Sequence, residues 1–364
     1  MQAVLSHWTA LEYHRTHGTE NRRAIPDETR TLAALAPLAS GPRQLALLDI
    51  DLDGFARPLH LLVPNAASRS RSKAVQAHAW SGPLAHRSLF AAPGERFLVS
   101  SPEFTLLQLA GPPLPKASAD DRLFFERLAP GDPLRPLDDP TRWAATVREV
   151  WLAQTAMELM GTYRRTEGTG TGTTYGEMPL TSYNALSHFA DEQPSVRGIE
   201  LFRATLGRSM PMSFSPMETM LALMLTLPTG LGGYGLPRPI LNVRLRAGRA
   251  GISSQRTILP DLYWPEREVL LEYESFEFHE GSPGPLGANE KLAHDAERAN
   301  TLLAMGMHPF VARPRQVLDL ARLDLLAGQV AKRLGAPVTP CSGRSLERRA
   351  KLHALLSPHA NDRA

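Results

Sequence analysis

The chain has 364 residues, 43% hydrophobic and 21% charged, a balance that excludes bulk disorder and has room for about two or three domains. Its single cysteine, Cys341, excludes a disulfide framework and a cysteine-based zinc site, and no apolar run reaches the roughly 18 residues of a membrane span. The N-terminus, MQAVLSHWTALEYHR, lacks the basic region and long apolar stretch of a secretory signal, so a cytoplasmic protein with no membrane partner is expected. Net charge is only +3, with 35 arginines and five lysines among the 40 basic residues. GC-rich coding produces the same arginine excess, so basicity alone does not point to nucleic acid.

The first 30 residues read as helical, with Leu5, Trp8, Leu11 and Tyr13 in a loose apolar stripe. PLHLLVP (58–64), KAVQAHAW (73–80) and ERFLVSS (95–101) are apolar runs bounded by Pro, Gly and Ser, which predicts strands. FTLLQLA (104–110) follows as a helix, and the proline-rich stretch 129–140 marks a boundary. Residues 141–163 carry Trp143, Val147, Val150, Ala153, Met157 and Met160 at three- and four-residue steps, which predicts an amphipathic helix. Two further helices, TSYNALSHFADE and RGIELFRATL, lie beyond a low-complexity loop at 167–177.

From Ser209 the expected order is helix, three strands, helix, strand, helix. The first helix, 215–227, has Ser215 as N-cap, Pro216 at its first position and Glu218 in its first turn. Strands are expected at 240–246, 256–264 and 268–276, a helix at 288–306 ending on Gly306, a strand at 308–314 and a closing helix at 316–335. The domain reading is therefore a small α+β domain over 1–140, a helical connecting segment over 141–208, an α/β (α+β mixed) domain over 209–336 and a basic tail over 337–364 with one helix, SLERRAKLHALL.

Several motifs carry little. Asp49, Asp51, Asp53 and Gly54 spell the start of a calcium loop, but position twelve is His60 where a bidentate glutamate is required. The GTGTG run fits no phosphate-binding fingerprint. His78 and His86 have no spaced partners and read as ordinary surface histidines.

The informative segment is PDLYWPEREVLLEYESFEFHEG, 260–281. Read as a hairpin turning at Pro265–Glu268, it sets Asp261 directly opposite Glu272, with Cβ atoms about 4.5–5.5 Å apart. Alternation sorts Val269, Leu271 and Tyr273 onto one face, the expected core, and Leu270, Glu272 and Glu274 onto the other. Acids converging in an apolar sheet repel one another, and a hard cation such as magnesium would relieve that conflict. The competing reading is a sheet edge whose acids are simply solvated. On the next helix Lys291, Asp295 and Arg298 share one face, either as an ordinary i,i+4 pair in water or as part of a site beside His279.

These residues resemble the PD-(D/E)XK nuclease superfamily, and more closely the proteins similar to the very-short-patch-repair endonuclease. The likeness runs in order through Ser215 and Glu218, Gly235-Leu236-Pro237-Arg238-Pro239 with Asn242, Asp261-Leu262-Tyr263-Trp264-Pro265, Leu271-Glu272-Tyr273-Glu274-Ser275 with His279, and Asp295 with Arg298. It spans roughly 209–335 and implies a restriction-endonuclease-like αβββαβ core. The superfamily lysine is replaced by Glu274, as it is in these relatives. More weakly, Leu5-Ser6-His7-Trp8-Thr9-Ala10-Leu11, the 58–64 strand and Val99–Leu107 resemble the antitoxin-type domain of the AbiEi family; the winged helix that usually precedes that domain is not expected here.

The resemblance implies that Asp261 and Glu272 ligate Mg2+, with Mn2+ as a substitute, and that Glu218 supports that ion or a second one. It makes His279 the first choice for acid/base, Arg298 a phosphate contact, Lys291 a further cation, and Glu274 a ligand or water-orienting group, with Asp295 beside them. Arginines of the middle helices and the tail would line a DNA backbone in a salt-sensitive, sequence-blind way. The expected function is metal-dependent endonucleolytic hydrolysis of DNA, in phage defence or repair. The alternatives are a non-catalytic DNA-binding regulator or antitoxin, and a scaffold for a toxin partner.

Overall fold

The computed structural model describes residues 1–18, 23–24, 31–35, 37–48, 52, 54–91, 97–111, 140–166, 172–246, 257–274, 298, 300, 302–337 and 343–357. They fall into two compact units of mixed α/β class, the first running to Pro211 and the second starting at Met212. Among the described residues no helix is long and apolar enough to cross a membrane.

The first unit is built on a six-stranded sheet. Its inner strand, Ala3–Leu5 (β1), is wholly buried and pairs parallel with Phe97–Ser100 (β6) and antiparallel with Leu59–Val63 (β3). Val75–Ala79 (β4) lies parallel to β3, while Leu89–Ala91 (β5) and Arg23–Ala24 (β2) extend the other side, giving the order β2-β5-β6-β1-β3-β4. The three strands expected from the apolar runs are thus present. The helices are His7–His17 (α1), the short Pro42–Ala46 (α2), Pro102–Ala110 (α3), Pro140–Leu159 (α4), Tyr183–Glu192 (α5) and Ile199–Arg208 (α6). α3 starts where Ser101 Oγ accepts from the Phe104 N–H at 3.2 Å, which satisfies an orphan donor of the first turn.

Three expectations change here. Residues 141–208 are not a separate connector: they belong to the first unit, with α4 packed against α3 and α6. Nor is α4 amphipathic over its second half, where every residue from Val150 to Met160 is buried. A helix covered on all sides must pair its charges internally. Glu158, fully buried, accepts from Arg15 Nε and a terminal Arg15 nitrogen, both at 2.9 Å, and from Arg165 N and Nε at 3.0 and 2.9 Å. Burial pushes the Glu158 carboxyl up, but the two guanidinium groups override it and hold the group at about 2. Arg165 sits on Tyr163–Thr166 (β7), which pairs with Gly172–Tyr175 (β8). Part of the stretch read as a loop is therefore a strand, and 167–171 lies outside the described residues.

The second unit opens with Pro216–Thr226 (α7), whose residues from Glu218 to Leu225 are all buried. A four-stranded sheet follows, in the order β14-β13-β12-β9: His308–Ala312 (β14), Val269–Tyr273 (β13), Leu262–Trp264 (β12) and Ile240–Leu241 (β9). β9, β12 and β13 run antiparallel in turn, and β13 lies parallel to β14. Each of the strands expected at 240–246 and 256–264 is broken in two, because Asn242 turns into the left-handed region at φ 48° and Pro260 has no N–H to pair. The outer halves, Leu245–Arg246 (β10) and Thr257–Ile258 (β11), pair with each other as a separate two-stranded ribbon. Leu241 pairs with Leu262 and Leu245 with Ile258, so one antiparallel register continues across the break.

The hairpin into β13 has the expected register, with Leu262 opposite Leu271, Tyr263 opposite Leu270 and Trp264 opposite Val269. Its turn is a single 3-10 turn, Pro265–Arg267, closed by Glu268 at φ 52°. Val269 and Leu271 are buried as expected, but Leu270 on the other face is equally buried, packed with Ile258, Leu302 and Met307. An interior strand beside a parallel neighbour is covered on both faces, which overrides the simple alternation. Of the helix expected at 288–306, residues 298, 300 and 302–304 are described and helical.

After β14 come Pro314–Val317 (α8) and Leu320–Leu334 (α9), capped by Asp319 and by Gly335 at φ 68°. Arg344–Leu356 (α10), the helix expected in the tail, is not loose. Leu352, Leu355 and Leu356 are buried, and the helix packs on α7 and on the 3-10 turn Thr229–Leu231. Arg349 is buried, donating to Gly232 O at 3.3 Å and to Asp324 Oδ1 at 2.9 Å, with its guanidinium 4.1 Å from the Tyr234 ring centre.

Candidate functional site

The acids read from the sequence meet at the broken hairpin of the second unit. Glu218 reaches the site from the first turn of α7. Ser215 Oγ accepts from the Glu218 N–H at 3.1 Å and donates to Glu218 Oε1 at 3.0 Å, and the Phe214 N–H donates to Glu218 Oε2 at 2.9 Å. That reciprocal capping arrangement alone would account for a Ser and a Glu three residues apart. It does not account for Asn242, whose side-chain amide donates to Glu218 Oε2 at 2.7 Å and to Met212 O at 2.8 Å. Asn242 takes up φ 48°, which asparagine tolerates better than most residues.

Asp261 lies at the same break. Its carbonyl accepts from the Asn242 N–H at 3.1 Å, and its Oδ2 accepts from the Tyr273 N–H at 2.6 Å. The side chain thus replaces the next backbone rung of the β12–β13 ladder. Burial comes first in pushing the Asp261 carboxyl up to about 7; the Glu218 and Glu272 charges push the same way, while the Tyr273 N–H and Arg298 pull it back. Glu218 is also pushed up, by burial, against the three hydrogen bonds from Phe214, Asn242 and Ser215.

Glu272 follows the last β12–β13 pair and stands next to Asp261 in register, as the sequence reading has it. Its Oε1 is hydrogen-bonded and ion-paired by Arg298. Glu274 turns elsewhere: its N–H donates to Ala312 O at 2.9 Å, and its Oε2 lies 3.7 Å from Arg313 Nε. His279, Lys291 and Asp295 lie outside the described residues. Glu218, Asp261, Glu272 and Arg298 are therefore brought together, and Glu274 pairs with Arg313 at the end of β14.

Among the described residues, no group of three or more His, Cys, Asp or Glu side chains is arranged to hold a metal ion. What Asp261 and Glu272 offer is carboxylate oxygen, the donor type that a hard divalent cation takes. Glu218 is better suited to support from behind, since both its oxygens accept from the protein.

Sequence reasoning missed how Asn242 works, as the clamp between Glu218 and the Asp261 backbone. Its only sequence signal was the N of the Gly235–Asn242 motif. Nor do the arginines expected to line nucleic acid all face outward: Arg349 is buried, and Arg208 pairs with Glu149. The chain matches no family model, no curated protein and no solved structure among those compared.

Proposed function

We propose that the second unit is a restriction-endonuclease-like domain of the PD-(D/E)XK type that hydrolyses DNA phosphodiesters with Mg2+ or Mn2+. The observation that carries this reading is geometric: Asn242 ties the Glu218 carboxylate to the Asp261 backbone at the strand break, and Glu272 continues the β12–β13 register beside Asp261. Its order of elements, helix, bent hairpin, third strand, parallel fourth strand and closing helix, supports the same reading.

On this reading Asp261 and Glu272 hold the cation, which supplies positive charge against the charge developing on a phosphoryl group. Asn242 and the Tyr273 N–H fix Asp261, one through its backbone and one through its carboxylate. Arg298, paired to Glu272, is the described cation best stationed to contact a phosphate oxygen. His279, Lys291 and Asp295 keep the roles implied by the resemblance.

A second reading, a DNA-binding regulator or antitoxin without catalysis, is favoured by one observation. Glu218 and Glu272 are both satisfied by the protein's own donors, Glu272 by the Arg298 ion pair. The experiment that separates the two is cleavage of supercoiled plasmid and single-stranded DNA with Mg2+ or Mn2+, beside Asp261→Ala and Glu272→Ala. Metal-dependent nicking lost in both variants supports the nuclease. Binding in a gel shift with no cleavage by the wild-type chain overturns it in favour of the regulator.

A further inference from the structure

The first unit carries a cavity of about 480 Å3 where α1, β3, β4, α3 and α4 meet. Three histidines from three of these elements converge in it. His60 Nδ1 lies 2.9 Å from His78 Nε2 in a hydrogen bond, and the His7 ring stacks on His78 with centres 3.8 Å apart. His78 is thus no ordinary surface histidine. β3 and β4 run parallel with His60 opposite Gln76 and Leu62 opposite His78, which brings His60 and His78, 18 positions apart, within reach of each other on neighbouring strands. His7 lies at φ 48°, a left-handed conformation that is unfavourable for a residue with a side chain.

Four arginines line the same cavity: Arg69, Arg71, Arg148 and Arg197. Arg148 is buried and donates to Leu109 O. The described lining includes no aspartate or glutamate. Four guanidinium groups and three imidazoles around one partly open space make it electropositive and offer many donors, which suits an anionic ligand. It is not built for a metal: His60 and His78 spend ring nitrogens on each other, and His7 Nδ1 is 3.0 Å from Ser6 Oγ. Trp8 and Trp80 add apolar wall beside the charges.

We propose that this cavity binds a phosphate monoester, either a free phosphorylated small molecule or the phosphorylated end of a nucleic acid. Four guanidinium groups supply more charge than one carboxylate needs, and their planar forks match phosphoryl oxygens two at a time. The histidines make the site responsive to its ligand. The His7 imidazole is held well below its ordinary value by burial first, and then by His78, His60 and Arg148. A bound dianion reverses the effect of those positive neighbours, so binding at neutral pH is accompanied by proton uptake.

The test is titration calorimetry on the full chain with inorganic phosphate, a nucleoside 5′-monophosphate, the parent nucleoside, and an oligonucleotide with and without a 5′-phosphate. Runs in two buffers of different ionisation heat read the proton uptake. The expected result is saturable binding of the phosphate-bearing probes and none of the nucleoside. Affinity should fall by about tenfold or more in Arg69→Ala, Arg197→Ala and His78→Gln. Arg69 and Arg197 are exposed, so those two variants fold, and a melting curve checks all three. A 5′-phosphorylated oligonucleotide binding more tightly than the monophosphate assigns the site to a nucleic-acid end; the reverse assigns it to a free small molecule. No saturable binding of any phosphate probe, or affinities unchanged in all three variants, overturns the proposal.

Discussion

The Asn242 N–H donates to the Asp261 carbonyl at 3.1 Å, at the one point where the bent hairpin is paired by neither β9–β12 nor β10–β11. The two residues stand opposite each other in the continuing register, and both send their side chains into polar contacts rather than into the core. Asn242 reaches Glu218, and Asp261 reaches the backbone of β13. A break in a ladder is where a strand can re-aim a side chain, and here one break re-aims two.

Asn242→Ala should therefore lower the stability of the chain by about 2 kcal/mol. It removes the hydrogen bond that the side-chain amide donates to a buried carboxylate and leaves Glu218 with one donor fewer. Asn242→Asp should be worse, since it sets a second negative charge against Glu218. Urea denaturation of the three proteins checks the order; an Asp variant as stable as wild type would show that Glu218 does not depend on this contact.

The raised Asp261 carboxyl makes a pH-dependent prediction whose sign follows from linkage. The folded chain holds this proton up to about pH 7, whereas the unfolded chain releases it near its ordinary value of about 4. The folded state binds more protons between those values, so this group's contribution is greatest below about pH 4 and is lost as pH rises through 7. Asp261→Asn removes the ionisation. It should be more stable than wild type by roughly 2–4 kcal/mol at pH 8, with the gap closing toward pH 4. Thermal melting across that range checks it; equal melting temperatures at pH 8 would show an ordinary, ionised carboxylate.

The site was legible in the sequence to the extent that it was local. Ser215 and Glu218 are three residues apart in one helical turn. Asp261 and Glu272 are joined by a short turn whose register their spacing fixes, even though the turn itself is a 3-10 turn with Glu268 left-handed. The break at Asn242 was not legible, because a run of alternating apolar residues reads as one strand whether or not it bends. The histidine cavity was hidden for a stronger reason: His7, His60 and His78 meet only through a parallel β3–β4 pair and the helix after β1, and no spacing along the chain encodes that. The all-round burial of α4 from Val150 onward was missed because its buried charge, Glu158, looks in sequence like part of a solvated face.

Glu158 is the buried charge on which that helix turns. It is matched by Arg15 and Arg165, and its carboxyl is held at about 2, below the ordinary range. This depressed carboxylate contributes stability that is fully present above about pH 4.5 and lost as pH falls toward 2. Glu158→Gln takes the carboxylate from two guanidinium groups, Arg15 in the interior and Arg165 partly exposed. It should destabilise the first unit by about 3–5 kcal/mol at pH 7. Because both are arginine charges that do not titrate, the variant should not recover at higher pH. A loss below about 1 kcal/mol in denaturant would show that the arginines find other acceptors.

The docking of α10 depends on Gly232, which lies at φ 100° and where a Cβ would stand only 2.6 Å from the Arg348 carbonyl oxygen. Gly232→Ala is strained twice, by its backbone conformation and by a collision with helix backbone that cannot swing aside. A loss of about 2–4 kcal/mol is expected, together with easier proteolysis within 343–357. Wild-type melting and cleavage would show that α10 contributes little to the unit.

Cation binding can be separated from catalysis by stability alone. Two carboxylates that suffer in one another's company are relieved by a divalent ion, and a ligand that binds only the folded chain raises its melting temperature with concentration. At pH 8, millimolar Mg2+ or Mn2+ should therefore raise the wild-type melting temperature by several degrees, and chelation should reverse the shift. Asp261→Asn and Glu272→Gln should each abolish most of the shift. Arg298→Met should enlarge it, because releasing Glu272 from its ion pair leaves that carboxylate to the cation. A wild-type chain that melts at the same temperature with and without either metal would remove the cation from this site, whatever the chain does to DNA.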